Sequence, residues 1–142
     1  MITYVVDASV AARFLLVEEL SDNAGQILKD FLDGVIDLRT PQLLVYEVGN
    51  ALSMSVLNGF TTVQEAGQKL HSLLKLKMNI LNLDEKDHQA ILAWSTENEV
   101  TYYDGAYVIS SKKIGAPLIT ADDLLYEKAK RKIPVVHLRE YS

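Results

Sequence analysis

Five short, nearly continuous apolar runs constrain this chain more than any other feature. They fall at 2–6 (ITYVV), 35–39 (VIDLR), 79–83 (NILNL), 117–120 (PLIT) and 134–138 (PVVHL). Alternation between apolar and polar residues, the mark of a strand with one wet face, is weak in them. Such runs suit strands covered on both faces of a parallel sheet. Parallel neighbours need a crossover, usually a helix, and helical signals fill the gaps. Ser21 is placed to cap a helix with Ala24, Ile27, Leu28 and Phe31 on one face, closed by Gly34. Pro41 suits the first turn of a helix reaching about Leu57. Thr62 to Glu65 (TVQE) is a capping box, with Leu70, Leu73 and Leu74 following at helical spacing. Asp84 caps a helix carrying Ile91, Leu92 and Trp94; another runs from about Asp104 to Lys113 and stops at Gly115. The last starts near Asp122 and ends before Pro134. Strands alternating with helices predict an α/β fold around a central parallel sheet.

At 142 residues the chain is expected to form a single domain over 1–142 and to bury about two-thirds of its unfolded surface. It contains no cysteine, which excludes disulfides and thiolate metal sites. No stretch approaches the ~18 apolar residues of a membrane span, and no basic segment leads into a signal-type run. The expected location is the cytoplasm, with no membrane partner. The net charge of −5 argues against broad binding of polyanions through the overall field. Local basic patches remain at 128–132 (KAKRK) and at Lys112 and Lys113.

The first and fourth runs both end in acid, as VVDAS and LITADD. In open parallel sheets the ligand crevice lies beyond the carboxyl ends of the strands. Asp7 and Asp122 therefore point at one place. Glu47 sits inside LLVYEVGNAL with Leu43, Leu44, Asn50 and Ala51 at helical spacing. A carboxylate there is costly to bury unless something pairs with it. Asp104 precedes the apolar face of its helix. Taken singly, each acid has a plain alternative: a turn residue for Asp7, helix starts for Asp104 and Asp122 or Asp123, a solvent-seeking side chain for Glu47. Taken together they pose a problem of charge. Two carboxylates about 5 Å apart repel by roughly 3 kcal/mol at an effective dielectric of 20, so four converging acids carry on the order of 20 kcal/mol. That rivals a domain's whole stability. Such a cluster protonates, spreads apart or binds cations, and oxygen-only ligands select hard ions such as Mg²⁺ or Mn²⁺.

The segments VVDASV, YEVGNAL, YYDGAYV and GAPLITADDLL, in that order and spacing, resemble the PIN domain, and most closely the VapC-type ribonucleases. The resemblance spans essentially the whole chain. It implies a three-layer fold with a central parallel five-stranded sheet flanked by helices. It implies an endoribonuclease dependent on Mg²⁺, with Mn²⁺ an option, acting on RNA as the toxin of a toxin–antitoxin pair. The family's catalytic and metal-holding acids match Asp7, Glu47, Asp104 and Asp122. Its Thr-x-Asp matches Thr120 to Asp122, which favours Asp122 over Asp123. Ser9 matches a hydroxyl position beside the first acid, and Asn50, one turn after Glu47, is placed to orient that carboxylate or a water. Arg13 is a candidate phosphate contact; a surface arginine on the first helix is the plain alternative. The family also implies a cognate antitoxin and a homodimer, for which Leu52, Val56, Leu57 and Phe60 are the apolar candidates, although core packing explains them equally. Two other functions stay open: a catalytically silent PIN-fold module for binding or assembly, and a nuclease acting on DNA.

Overall fold

The computed structural model describes residues Met1–Ser142 and gathers all five apolar runs into one parallel sheet. The middle strand is β1 (Ile2–Val6). On one side β2 (Ile36–Pro41) and then β3 (Asn79–Leu81) add outward; on the other, β4 (Leu118–Thr120) and then β5 (Val135–His137). Val5 pairs with Arg39 on one flank and Leu118 on the other. Strand order thus reverses between β1 and β4, and a crevice opens at such a switch point.

Seven helices flank the sheet: α1 (Ala8–Ala12), α2 (Ser21–Leu32), α3 (Leu43–Leu57), α4 (Val63–Lys75), α5 (Glu85–Glu97), α6 (Tyr102–Ile114) and α7 (Asp123–Ala129). The three-layer α/β arrangement is the one expected. Val5, Val6, Leu38, Leu118 and Ile119 are fully buried, and one contiguous apolar cluster joins them to Ile27, Val48, Ile91, Val108 and Leu138. Each such side chain contributes about 1.5–3 kcal/mol on burial. Covering is complete only toward the carboxyl ends of the middle strands; Ile2, at the start of β1, is exposed. The short edge strand β3 leaves Asn79 and Ile80 exposed.

The predicted caps fared unevenly. Thr62 accepts from the Glu65 amide at 3.1 Å, as a capping threonine should, but the Glu65 carboxylate accepts from Thr61. Asp84 and Asp87 form a full reciprocal box at the start of α5, with both bonds at 2.9 Å. Ser21 does not cap α2. It lies inside the first turn, its hydroxyl donating to the Leu16 carbonyl and accepting from the Glu18 amide, and the cap position is Leu20 at φ +68°. Pro41 belongs to β2 rather than to a helical turn, since the register of β2 with β3 carries the strand through it and α3 starts two residues later. Of the apolar residues read on the helix after Asp84, Ile91 and Trp94 are buried and Leu92 is exposed.

Helix α6 positions part of the crevice and starts earlier than expected. Thr101 caps it by accepting from the Asp104 amide at 3.0 Å, so Asp104 is a first-turn residue and not the cap. Gly105 lets α6 lie tightly on α5, because a β-carbon there would meet the Ser95 Cβ at 3.1 Å. Gly115, at φ +66°, closes the helix in the left-handed conformation that glycine favours.

Candidate active site

At the carboxyl end of β1 the backbone of Asp7 is still extended, and its side chain turns back to cap α1. Oδ1 accepts from the Ser9 hydroxyl at 2.6 Å and the Val10 amide at 3.2 Å; Oδ2 accepts from the Thr120 hydroxyl at 2.5 Å. Asp7 is only 3% exposed. Burial pushes its carboxyl up to about 6, Asp104 adds to the rise, and the three hydrogen bonds oppose it. Ser9 and Thr120 also stitch the ends of β1 and β4 together. The Ser9 hydroxyl accepts from the Ala121 amide at 2.9 Å, and that of Thr120 from the Asp122 amide at 3.0 Å. Thr40, fully buried on β2, donates to the Val6 carbonyl just before Asp7.

Asp104 is the electrostatic hub. Burial again pushes its carboxyl up to about 6, helped by Asp122 and then Glu47 and opposed by Thr101. Through these couplings all four predicted acids belong to one field: Asp7 with Asp104, and Asp104 with Asp122 and Glu47. Asp122 caps α7, its Oδ1 accepting from the Leu125 amide at 2.8 Å. Asp123 turns elsewhere, toward His137 Nε2 at 2.8 Å and Arg139 at 3.3 Å. Glu47, on α3, accepts at Oε1 from the Tyr107 hydroxyl at 2.7 Å.

Tyr107 is the site neighbour that sequence reasoning missed. It is buried, and its phenol is pushed far above the ordinary tyrosine range by burial and then by the carboxylate it donates to. The available signal was its position one turn after Asp104, in an otherwise apolar helix face. Two predicted supporting residues lie further off. Asn50 is exposed, and the hydrogen bond to Glu47 comes from Tyr107 rather than from it. Arg13 donates from Nε to the Glu19 carbonyl at 2.8 Å and from a terminal nitrogen to the Ser9 carbonyl at 2.6 Å. Three of a guanidinium's five N–H groups remain for other partners.

The donors around the crevice are all oxygens, the chemistry of a hard divalent cation. No three acids converge closely enough to enclose an ion unaided. A Mg²⁺ ion held here would take one or two of these carboxylates and complete its shell with waters or substrate phosphate.

The sequence profile of the PIN domain matches residues 4–131. The chain belongs to the PIN domain family. This PIN domain is 34% identical over 128 residues to ribonuclease VapC3 of Pyrobaculum aerophilum, covering 87% of the chain and 92% of that relative. It is 32% identical over 85 residues to ribonuclease VapC1 of Mycobacterium tuberculosis, covering 60% of the chain and 62% of the relative. Among solved structures, PAE2754 from Pyrobaculum aerophilum superimposes with a TM-score of 0.74 at 22% identity, covering 97% of this chain and 92% of that one. VapBC-1 from nontypeable Haemophilus influenzae gives 0.64 at 12%, covering 98% and 100%. These structural likenesses show the fold.

Proposed function

We propose that this PIN domain is an endoribonuclease of the VapC kind, dependent on Mg²⁺ or Mn²⁺, with Asp7, Glu47, Asp104 and Asp122 as its catalytic and metal-holding residues. The observation that carries this reading is the shared field of the four carboxylates at the switch point, in which Asp7 and Asp104 are both pushed up to about 6 with no lysine or arginine among the causes. A chain that crowds acids in this way leaves room for a cation. The 34% identity to a ribonuclease supports the same reading.

A divalent ion held there would lower the pKa of an attacking water and stabilise charge on the scissile phosphate. The chain's own residues do the rest. Ser9 and Thr120 hold the Asp7 carboxylate in one orientation while joining the two strand ends. Tyr107 fixes one oxygen of Glu47 and leaves the other open. Asn50 and Arg13 remain outer candidates, Arg13 for a phosphate of the RNA through its unused N–H groups. The wider proposal is a toxin of a toxin–antitoxin pair, acting in the cytoplasm as a single-domain chain, as a homodimer, with a cognate antitoxin partner.

The deciding experiment is cleavage of single-stranded RNA and DNA with Mg²⁺, Mn²⁺ or EDTA, using wild type and Asp7→Asn. RNA cleavage by wild type alone, abolished by EDTA, is the expected result. Metal binding without cleavage of either polymer would favour the silent binding module, and cleavage of DNA alone would move the substrate class.

A further inference from the structure

Beside the acids, on the same carboxyl edge of the sheet, lies a second cavity of about 320 Å³. Its walls include Gln42 and Asn82 after strands β2 and β3, and His88, Tyr102, Tyr103 and Ala106 from α5 and α6. None of its lining residues is an Asp, Glu, Lys or Arg. Chain neighbours tie it to the acids. Tyr103 and Ala106 each precede a residue of the acid site, Asp104 and Tyr107, and successive helical residues are rotated by about 100°. Helix α6 therefore shows the acids on one face and this cavity on the next. Gln42 likewise opens the helix that carries Glu47.

The walls are already arranged. His88 and Tyr102 stack with ring planes 8° apart and centroids at 6.0 Å, and the Tyr102 hydroxyl is hydrogen-bonded to His88 Nδ1. Tyr103 is 55% exposed. Gln42 stands at the start of α3, yet its side chain does not cap the helix.

We infer that this cavity receives a nucleobase of single-stranded RNA next to the scissile phosphate, with Tyr103 as the stacking surface and the amides of Gln42 and Asn82 facing the base edge. The inference rests on the ribonuclease reading above and deepens it. Flat aromatic rings stack on any base, and amides offer both a donor and an acceptor to its edge. An uncharged cavity also answers the difficulty of a chain at −5 that must hold a polyanion. It suits the base, which unlike the phosphate carries no charge. Unstacked bases of single strands are what RNA-binding proteins commonly capture in this way.

The test uses the full chain, single-stranded RNA carrying 2-aminopurine beside the cleaved bond, and Mg²⁺. Tyr103→Ala should raise KM about tenfold, within the usual loss per stacked base, and should abolish the quenching of 2-aminopurine on binding. Tyr103→Phe, which keeps the ring, should restore both. Mn²⁺ affinity and melting temperature should stay at wild-type values in each variant, since Tyr103 lies outside the acid site and the core. Gln42→Ala should shift base preference on a randomised RNA more than it shifts KM. Wild-type cleavage with the same KM and quenching in Tyr103→Ala would overturn the subsite and leave the ribonuclease reading standing. A wild type that neither cleaves nor quenches would overturn both.

Discussion

Asp7 and Asp87 are two aspartates in similar local roles with opposite electrostatic fates. Each caps the first turn of a helix or completes its box, and each accepts from more than one donor. Asp87 sits near the surface with the Lys113 ammonium at 2.5 Å, and that bond, before any other cause, holds its carboxyl below the usual range. Asp7 has three hydrogen bonds and no cation, and burial drives it up to about 6. The difference shows that neutral donors do not replace a counter-charge once water is removed. The chain supplies a cation to the aspartate that serves the fold and withholds one from the aspartate in the crevice.

The largest effect should come from neutralising one side of this comparison and then the other. Asp7→Asn or Asp104→Asn should reduce RNA cleavage by more than about a hundredfold, since loss of even an outer partner of a metal ligand costs about 10- to 100-fold. Asp87→Asn, which weakens only an exposed ion pair and a helix box, should leave the cleavage rate near wild type. Comparable losses at Asp7 and Asp87, at unchanged melting temperature, would erase the functional distinction.

Stability should respond in the opposite direction. A carboxyl raised from 3.8 to about 6 in the folded state takes up its proton there before the unfolded chain does. Between about pH 6 and 4 the folded state therefore binds more protons, and stability rises as pH falls through that window. At pH 7 the ionised Asp7 costs the fold on the order of 2–3 kcal/mol. Metal-free Asp7→Asn should melt higher than wild type at pH 7, and the gap should close toward pH 4. Calorimetric scans across this range check it; a variant less stable than wild type at pH 7 would mean that the bonds to Ser9 and Thr120 outweigh the buried charge.

A cation should restore what the acids lack. At ten times its dissociation constant, Mn²⁺ should stabilise wild type by about 1.4 kcal/mol, and EDTA should remove the gain. Asp7→Asn should show little of it. Equal shifts in both proteins would place the bound ion outside the crevice.

How far the sequence foretold this arrangement depended on how local each signal was. The five strands were legible because burial at the middle of a parallel sheet leaves near-continuous apolar runs. The ends of β1 and β4 were legible too, just before Asp7 and two residues before Asp122, whereas β2 runs on to Pro41 and β3 stops at Leu81. Helix starts were less so. Thr101 and Asp104 have the same spacing as Thr62 and Glu65, but the apolar face begins after Asp104 and drew the expected start with it. Ser21 and Pro41 both carry helix-start chemistry, yet the Ser21 hydroxyl was taken up by the loop before α2, and Pro41 by the pairing of β2 with β3. Tyr107 was hidden because a tyrosine in an apolar face looks like core until its hydroxyl finds Glu47. The engagement of Arg13 by the Ser9 and Glu19 carbonyls depends on the path of a loop that no short-range pattern encodes.

The smallest expected effect is the most discriminating, because it separates neighbours in the chain. Asp122 and Asp123 leave the end of β4 in different directions. Asp122 caps α7 through Oδ1 and is felt by Asp104. The Asp123 side chain, 86% exposed, reaches His137 and Arg139 at the end of β5. His137 accepts at Nδ1 from the Arg139 amide, so the neutral ring carries its proton on Nε2 and donates it to Asp123. An asparagine at 123 keeps an oxygen to accept that proton. Asp123→Asn should therefore change RNA cleavage by no more than about twofold, the scale of an ordinary surface substitution. Asp122→Asn should nearly abolish cleavage while leaving the melting temperature close to wild type, because asparagine caps a helix about as well as aspartate. Single-turnover cleavage by both variants, with their melting curves alongside, decides the matter. Loss of cleavage in Asp123→Asn with retention in Asp122→Asn would shift the fourth acid by one residue and turn the crevice toward β5.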